Sequence, residues 1–267
     1  MEALQPGDPA HVGPFRLVGR LGAGGMGQVY LGEDNGGRHA AVKVIHPGHA
    51  ADPDFRNRFA REIDTARRVD SPWTAGVLAA DPHAAQPWLA TAYVPGPDLD
   101  HVVATTGPLP AQALVVLAGR LARALAHLHA VDVVHRDLKP SNVLLAPDGP
   151  RLIDFGIARA TDATKITSTG VVIGTPAFMS PEQALGHDTG TPSDVFSLAA
   201  VLTFAATGAG PFGRSTGNPI VMLRRVSTAE PDLSGVPTAL REVIAPCLAK
   251  DPAARPTADQ LATRLAP

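Results

Sequence analysis

Between His135 and Asn142 the chain reads His135-Arg136-Asp137-Leu138-Lys139-Pro140-Ser141-Asn142, which sets a carboxylate, an ammonium group and a carboxamide within a few positions of each other. Asp137 can accept a proton or orient a hydroxyl, Lys139 can neutralise phosphate, and Asn142 can hold a divalent ion through its carbonyl oxygen. Such a set suits the movement of a phosphoryl group from a nucleotide to a hydroxyl. Charged residues also cluster in solvated turns. Here, however, Val133-Val134 and Val143-Leu144-Leu145 read as short buried β segments on either side. Charges held between apolar strands are costly without a task or partners.

Three further places carry chemistry. Arg151-Leu152-Ile153 reads as a short strand ending at Asp154-Phe155-Gly156. Mg²⁺ takes one or two protein carboxylates and completes its shell with phosphate oxygens, so Asp154 and Asn142 are candidate ligands. Gly22-Ala23-Gly24-Gly25-Met26-Gly27 is a G-x-G-x-x-G, which by itself fits a dinucleotide fingerprint or a flexible turn. A dinucleotide fold needs a helix directly after the glycines. Gln28-Val29-Tyr30-Leu31 continues as a strand instead, which places the glycines at a hairpin tip where backbone N–H groups can approach phosphates. Lys43 ends an apolar strand and on the residues alone reads equally as a lysine snorkelling to solvent. Glu62, on a polar helical stretch, is its natural partner, an assignment that leans on the other motifs.

Elements must position these groups. Strand-like alternation runs through Phe15-Arg16-Leu17-Val18, Gln28–Leu31, residues 40–45, 77–80 and 88–94, with a hairpin turn at Asn35-Gly36-Gly37. Residues 52–69 read as a helix capped by Asp52 with Pro53 in its first turn. Pro95-Gly96-Pro97 breaks the pattern and marks the boundary between a β lobe, 1–94, and a helical lobe, 95–267. Helices are predicted over 110–130, 193–207, 220–226, 238–248 and 257–265. The stretch 157–180 is Gly/Thr/Ser-rich and aperiodic, a kind of segment that inside a domain is usually functional.

Composition narrows the classes. At 267 residues with 45% apolar and 18% charged side chains, the chain is of globular type with ample length for a core. A net charge of −2 gives no footprint for nucleic acid or an anionic membrane. The single Cys247 excludes an internal disulfide and fits a reducing compartment. The first residues lack the build of a signal peptide. Residues 114–134 are interrupted by Arg120 and Arg123 and their apolar residues recur at helical spacing, so they read as an amphipathic helix, while 195–206 are too few for a span and read as a buried core helix. Cytoplasmic placement is the expectation for this domain, whatever a longer parent chain carries.

Taken in order, Gly22/Gly24/Gly27, Lys43, Glu62, His135-Arg136-Asp137, Asn142, Asp154-Phe155-Gly156 and Ser180-Pro181-Glu182 resemble the eukaryotic-type (Hanks-type) protein kinases over about residues 15–265. The run Gly174-Thr175-Pro176-Ala177-Phe178-Met179-Ser180-Pro181-Glu182-Gln183-Ala184 makes the chain most similar to bacterial Ser/Thr kinases of the Pkn group. The resemblance implies an α+β, bilobal fold: a small antiparallel β lobe with one helix, and a larger, mainly helical lobe. It implies an Mg-ATP-dependent transfer of the γ-phosphate to Ser/Thr hydroxyls, with Mn²⁺ as a substitute ion. Asp137 would be the base, Lys139 would contact the γ-phosphate, and Asn142 and Asp154 would hold the metal. Lys43, fixed by Glu62, would hold the α/β-phosphates under the glycines. Adenine would lie between Val29 and Ala41 on one side and Leu144 on the other, with backbone at Ala92 and Val94 reading its edge.

Further roles follow from the same resemblance. Thr175 would bond Asp137 and Lys139, Asp194 would anchor the catalytic-loop backbone, and Glu182 with Arg255 would form a buried ion pair. Arg136 would receive phosphate on Thr167 and Thr169 after trans-autophosphorylation, and a transient homodimer fits that event. Ala66, one turn after Glu62, is smaller than the residue usual there and loses packing. Two other classes share parts of the pattern: a pseudokinase acting as a nucleotide-binding regulatory module, and a small-molecule phosphotransferase. The first usually lacks the equivalents of Lys43, Asp137 or Asp154. The second generally lacks the 174–182 segment and the lysine two after the catalytic aspartate.

Overall fold

Alternating apolar residues in the first ninety positions build a six-stranded antiparallel sheet. Its strands are β1 (His11–Val12), β2 (Phe15–Gly24), β3 (Gly27–Glu33), β4 (His39–Ile45), β5 (Val77–Asp81) and β6 (Trp88–Ala92), in the order β1-β2-β3-β4-β6-β5. The computed structural model describes residues 1–155, 175–214 and 218–266. Contacts divide them into two compact units, one built on Met1–Val94 and the other beginning at Pro95.

In the first unit one sheet face buries Phe15, Leu17, Tyr30, Val42, Val44, Trp88 and Ala90, with Phe15 edge-on to Trp88. The N-terminal residues brace this sheet where β2 and β3 lead into the glycine hairpin. Arg20 and Tyr30 are paired across those strands, and Asp8 accepts from both, at 2.6 and 2.8 Å from Arg20 and 2.8 Å from the Tyr30 hydroxyl. The Arg20 guanidinium holds the Asp8 carboxyl well below the usual carboxylate range, while burial and the Asp8 bond push the Tyr30 phenol up to about 12.

Two helices complete the unit, α1 (Pro47–Ala50) and α2 (Pro53–Ala66). The predicted cap is present: Asp52 accepts from Asp54 N, and Pro53 opens the helix. Phe55, Phe59, Ile63 and Ala66 are buried along α2. Arg56 donates to the carbonyl of Ala50 and to those of Pro82, Ala84 and Ala85, which ties the start of the helix to α1 and to the turn between β5 and β6.

The second unit is mainly helical: α3 (Leu99–Thr106), α4 (Ala111–Ala130), α5 (Pro181–Ala184), α6 (Thr191–Thr207), α7 (Pro219–Thr228), α8 (Thr238–Ile244) and α9 (Ala258–Arg264). The hairpin of β7 (Val143–Ala146) and β8 (Gly149–Leu152) lies between α4 and α5 in the chain. By length and composition α4 could cross a membrane, but its Leu114, Leu117, Leu121, Leu125 and Leu128 are buried, and it packs on α6, α9 and β8. Helix α6 is buried around most of its circumference, as the uncharged 195–206 run requires.

Three expectations are corrected. Val133-Val134 is not a strand, since no strand pairs with it among the described residues; its backbone returns to the helix it follows, Val133 N to Leu128 O at 2.9 Å. The helix expected over 238–248 is α-helical only to Ile244 and tightens to 3₁₀ at Ala245–Leu248, where Pro246 has no N–H to continue the ladder. Helix α3 was not anticipated: it has eight residues, four of them β-branched, and is held by Asp98 accepting from His101 N.

Candidate active site

In the first unit the glycines fall where the sequence places them, at the end of a hairpin whose turn is Gly25–Met26. A Cβ on Gly22, Gly24 or Gly25 would meet nothing within 4 Å, so the space beside the hairpin is open to a ligand. Gly27 differs. Its Cβ would lie 2.0 Å from the Val44 carbonyl oxygen, so its requirement is internal: it lets β3 approach β4.

Sheet register gathers the next group. Val29 pairs with Lys43 and Leu31 with Ala41, and directly opposed residues of antiparallel strands share a face. Val29, Ala41 and Lys43 therefore lie together on the half-open face, while Tyr30, Ala40 and Val42 fill the core on the other. Glu62 is buried on the inward side of α2 with Phe59 and Ile63. The Ala92 N–H is committed to the Gly76 carbonyl at 2.9 Å and the Tyr93 N–H to His39. Val94 closes this unit and is buried.

In the second unit three of the predicted residues form one hydrogen-bonded cluster. Lys139 Nζ donates to Asp137 Oδ2 at 2.7 Å. Asn142 Nδ2 donates to the Asp137 carbonyl at 2.7 Å and to Oδ2 at 3.3 Å. With its nitrogen used in this way, Asn142 keeps Oδ1 for a hard cation. The β7–β8 pairing of Val143 with Leu152 brings the flanking residues together, and Ile153 N donates to Asn142 O at 3.1 Å. Asp154 follows directly, so the two candidate metal donors are joined through one backbone hydrogen bond. Both are oxygen donors, one of them anionic, which fits Mg²⁺ completed by phosphate oxygens and water.

Gly96 has φ of 142° and comes so close to β7 that a Cβ would lie 2.4 Å from Leu145 O. Pro97 O accepts from Leu145 N, which sets the chain after Pro95 alongside half-buried Leu144.

Backbone conformation singles out the same loop. Arg136 and Asp154 have φ of 66° and 58°, left-handed values that non-glycine residues rarely adopt. Arg136 is held by its neighbours: its N donates to Asp194 Oδ1 and its carbonyl accepts from Gln183 Nε2, at 2.8 and 2.7 Å. His135 N donates to the other oxygen of Asp194, and the ring of His129 reaches that oxygen as well, each at 2.8 Å. Asp194 thus anchors the loop as expected. His129 and Gln183 were missed by sequence reasoning; the helix-start pattern Ser180-x-x-Gln183 could have flagged the latter, because it forms a capping box. His135 is fully buried edge-on to Phe155, and burial holds its imidazole below the usual value.

Glu182 and Arg255 form the expected ion pair, two parallel bonds at 2.7 and 2.8 Å. Burial pushes the Glu182 carboxyl up, but hydrogen bonds from Arg255 and Ser193 outweigh it and hold the group below its usual value. The expected bonds from Thr175 to Asp137 and Lys139 do not form among the described residues, where Lys139 and Asn142 donate to Asp137 instead. Thr167 and Thr169 lie outside the described residues.

A model of the protein kinase domain matches residues 15–264. The chain is 52% identical to the probable serine/threonine-protein kinase PkwA of Thermomonospora curvata over 99% of its length, and 49% identical to the serine/threonine-protein kinase AfsK of Streptomyces coelicolor over all of it. It covers 35% and 33% of those proteins, about a third of their length. It is 38% identical to the serine/threonine-protein kinase PknA of Mycobacterium tuberculosis over 91% of the chain and 58% of that protein. Among solved structures, the kinase domain of M. tuberculosis PknI superposes with a TM-score of 0.74 at 29% identity, covering 98% of each chain.

Proposed function

Because this chain belongs to the protein kinase domain family, we propose that it is a serine/threonine protein kinase, moving the γ-phosphoryl group of ATP to Ser and Thr hydroxyls of proteins. The observation that carries this reading is the Asp137–Lys139–Asn142 cluster, tied through Ile153 to Asp154. Asp137 orients the acceptor hydroxyl and takes its proton as the new oxygen–phosphorus bond forms and the bond to ADP breaks. Lys139 neutralises the γ-phosphate. Asn142 and Asp154 are the residues that would hold Mg²⁺, or Mn²⁺ in its place; the ion would offset charge on the transferring phosphate. Lys43, steadied by Glu62, and the glycine hairpin take the remaining phosphates. Val29, Ala41 and Leu144 flank adenine, and the backbone at Ala92 and Val94 reads its edge.

Labelled γ-phosphate from ATP should transfer to the protein itself and to a generic basic protein. Asp137→Asn should reduce this to background, and unchanged transfer in that variant would refute the assigned chemistry. No observation favours a nucleotide-binding module without transfer or a small-molecule phosphotransferase, since Lys43, Asp137, Lys139 and Asp154 are all in place in the sequence.

Control through the loop belongs to the same proposal. Arg136 is fixed at both its N–H and its carbonyl. A guanidinium on so rigid a base is suited to receive a phosphate and order the segment that carries it. Two copies meeting transiently would phosphorylate each other on Thr167 and Thr169, in the cytoplasm. Mass spectrometry of protein incubated with ATP should find phosphate on those two residues, and a spectrum without any on 161–169 would exclude this mode of activation.

A further inference from the structure

We propose that His49 is a positioning residue, latching the tip of the glycine hairpin to α2 and thereby raising nucleotide affinity; this rests on the reading of that hairpin as a phosphate-binding loop. The turn Gly25–Met26 is held from outside the hairpin at two carbonyls. His46 N donates to Met26 O at 2.9 Å, and His49 Nε2 lies 3.1 Å from Gly25 O, where the ring nitrogen must be the donor. The same imidazole stacks on Phe55, with centroids 5.0 Å apart and planes at 22°. Phe55 in turn stacks on Phe59, at 5.9 Å and 21°. Both phenylalanines are buried, and Glu62 follows on the next turn of the helix. A continuous chain of contacts therefore joins the hairpin tip to the helix that carries the proposed partner of Lys43.

The physical consequence lies in the entropy of the tip. Glycine-rich backbone loses more freedom on ordering than any other, and Gly22, Gly24 and Gly25 have no packing beside their α-carbons to offset this. A bond that orders the tip beforehand removes part of that cost from the binding step. Coupling of this kind is reciprocal: nucleotide held by the hairpin steadies α2, and displacement of α2 loosens the hairpin.

The test compares the parent chain with His49→Ala and His49→Gln, using a non-hydrolysable ATP analogue with Mg²⁺ in calorimetry and ATP in steady-state kinetics. The alanine variant should raise Kd and KM for the nucleotide about three- to tenfold, the worth of one hydrogen bond, with kcat at saturating ATP unchanged. Its melting temperature should stay within about 2 °C of the parent, since the residue is only half-buried. Glutamine, whose amide can donate to the same carbonyl, should recover most of the affinity. Amide exchange should quicken at 22–27 and around 59–63 in the alanine variant. Unchanged affinity in His49→Ala, or equal loss in both variants, overturns the latch. A parent chain that binds no nucleotide would remove the phosphate-loop reading and the latch with it, an outcome the parent titration distinguishes from the others.

Discussion

Arg136 is an arginine in a conformation that costs on the order of 1–3 kcal/mol, and it stands directly before the proposed base. Asp194 offsets that cost. Each backbone N–H donated to a buried carboxylate contributes about 1.5–3 kcal/mol, and Asp194 receives two of them plus the ring of His129. The bonds therefore outweigh the strain, and the loop is held where it would not rest by itself. Asp194→Ala should cost roughly 3–5 kcal/mol in urea unfolding, since one buried and two part-buried donors lose their acceptor. Asp194→Asn, which keeps one accepting oxygen, should cost about half as much. Both should lower kcat at least about tenfold while the KM for ATP moves little, because a misplaced Asp137 affects transfer rather than nucleotide binding. A parallel rise in KM would show that Asp194 acts more broadly than through this loop. The types and order of these residues were legible in the sequence. The left-handed turn was not, because nothing in Arg136 favours it; it is imposed by a carboxylate nearly sixty positions away.

Single elements are held by side chains that reach carbonyls or charges far along the chain. Arg56 fixes α2 through four carbonyls, and Arg255 fixes α5 through Glu182 while also donating to Ala249, Lys250 and Pro192. The carboxyl of Glu182 sits below its usual value of 4.5 in the folded chain. A depressed carboxylate contributes stability that is fully present above its unfolded pKa and is lost as pH falls through the folded one. Glu182→Gln should thus melt below the parent by an amount that is constant at neutral pH, corresponding to roughly 3–5 kcal/mol. The gap should narrow steadily below pH 4.5. A gap independent of pH down to acid unfolding would mean that the pair contributes through shape and not charge. Helix ends and caps such as Asp52 and Thr257 could be read from the sequence, as could the strand pattern of the sheet. The short helix α3 and the irregular path of 131–139 could not, because their conformations are decided by what they pack against.

For the whole molecule the decisive property is nucleotide binding, which should appear as stabilisation. A ligand at a hundred times its Kd adds about 2.7 kcal/mol, which in a chain of this size corresponds to a rise of about 5–10 °C in melting temperature. A non-hydrolysable ATP analogue with Mg²⁺ should give this shift, and chelation of the ion should remove most of it. No shift at saturating analogue would exclude the proposed nucleotide site. The chain's own residues, without any structure, determined the class of chemistry, the glycine hairpin as against a dinucleotide fingerprint, the change from strand to helix at 95–97 and the core character of the uncharged helix over 195–206. These are legible because residue type and period act locally. Only the tertiary structure decided that Asn142 turns its nitrogen to Asp137, that Gly27 is glycine for the sake of β4, that the Ala92 N–H goes to Gly76, that His49 reaches the Gly25 carbonyl, and that His129 and Gln183 hold the loop before Asp137. Each of those depends on a partner distant in the chain, and a hydrogen bond between distant residues leaves no period or spacing for a sequence to show.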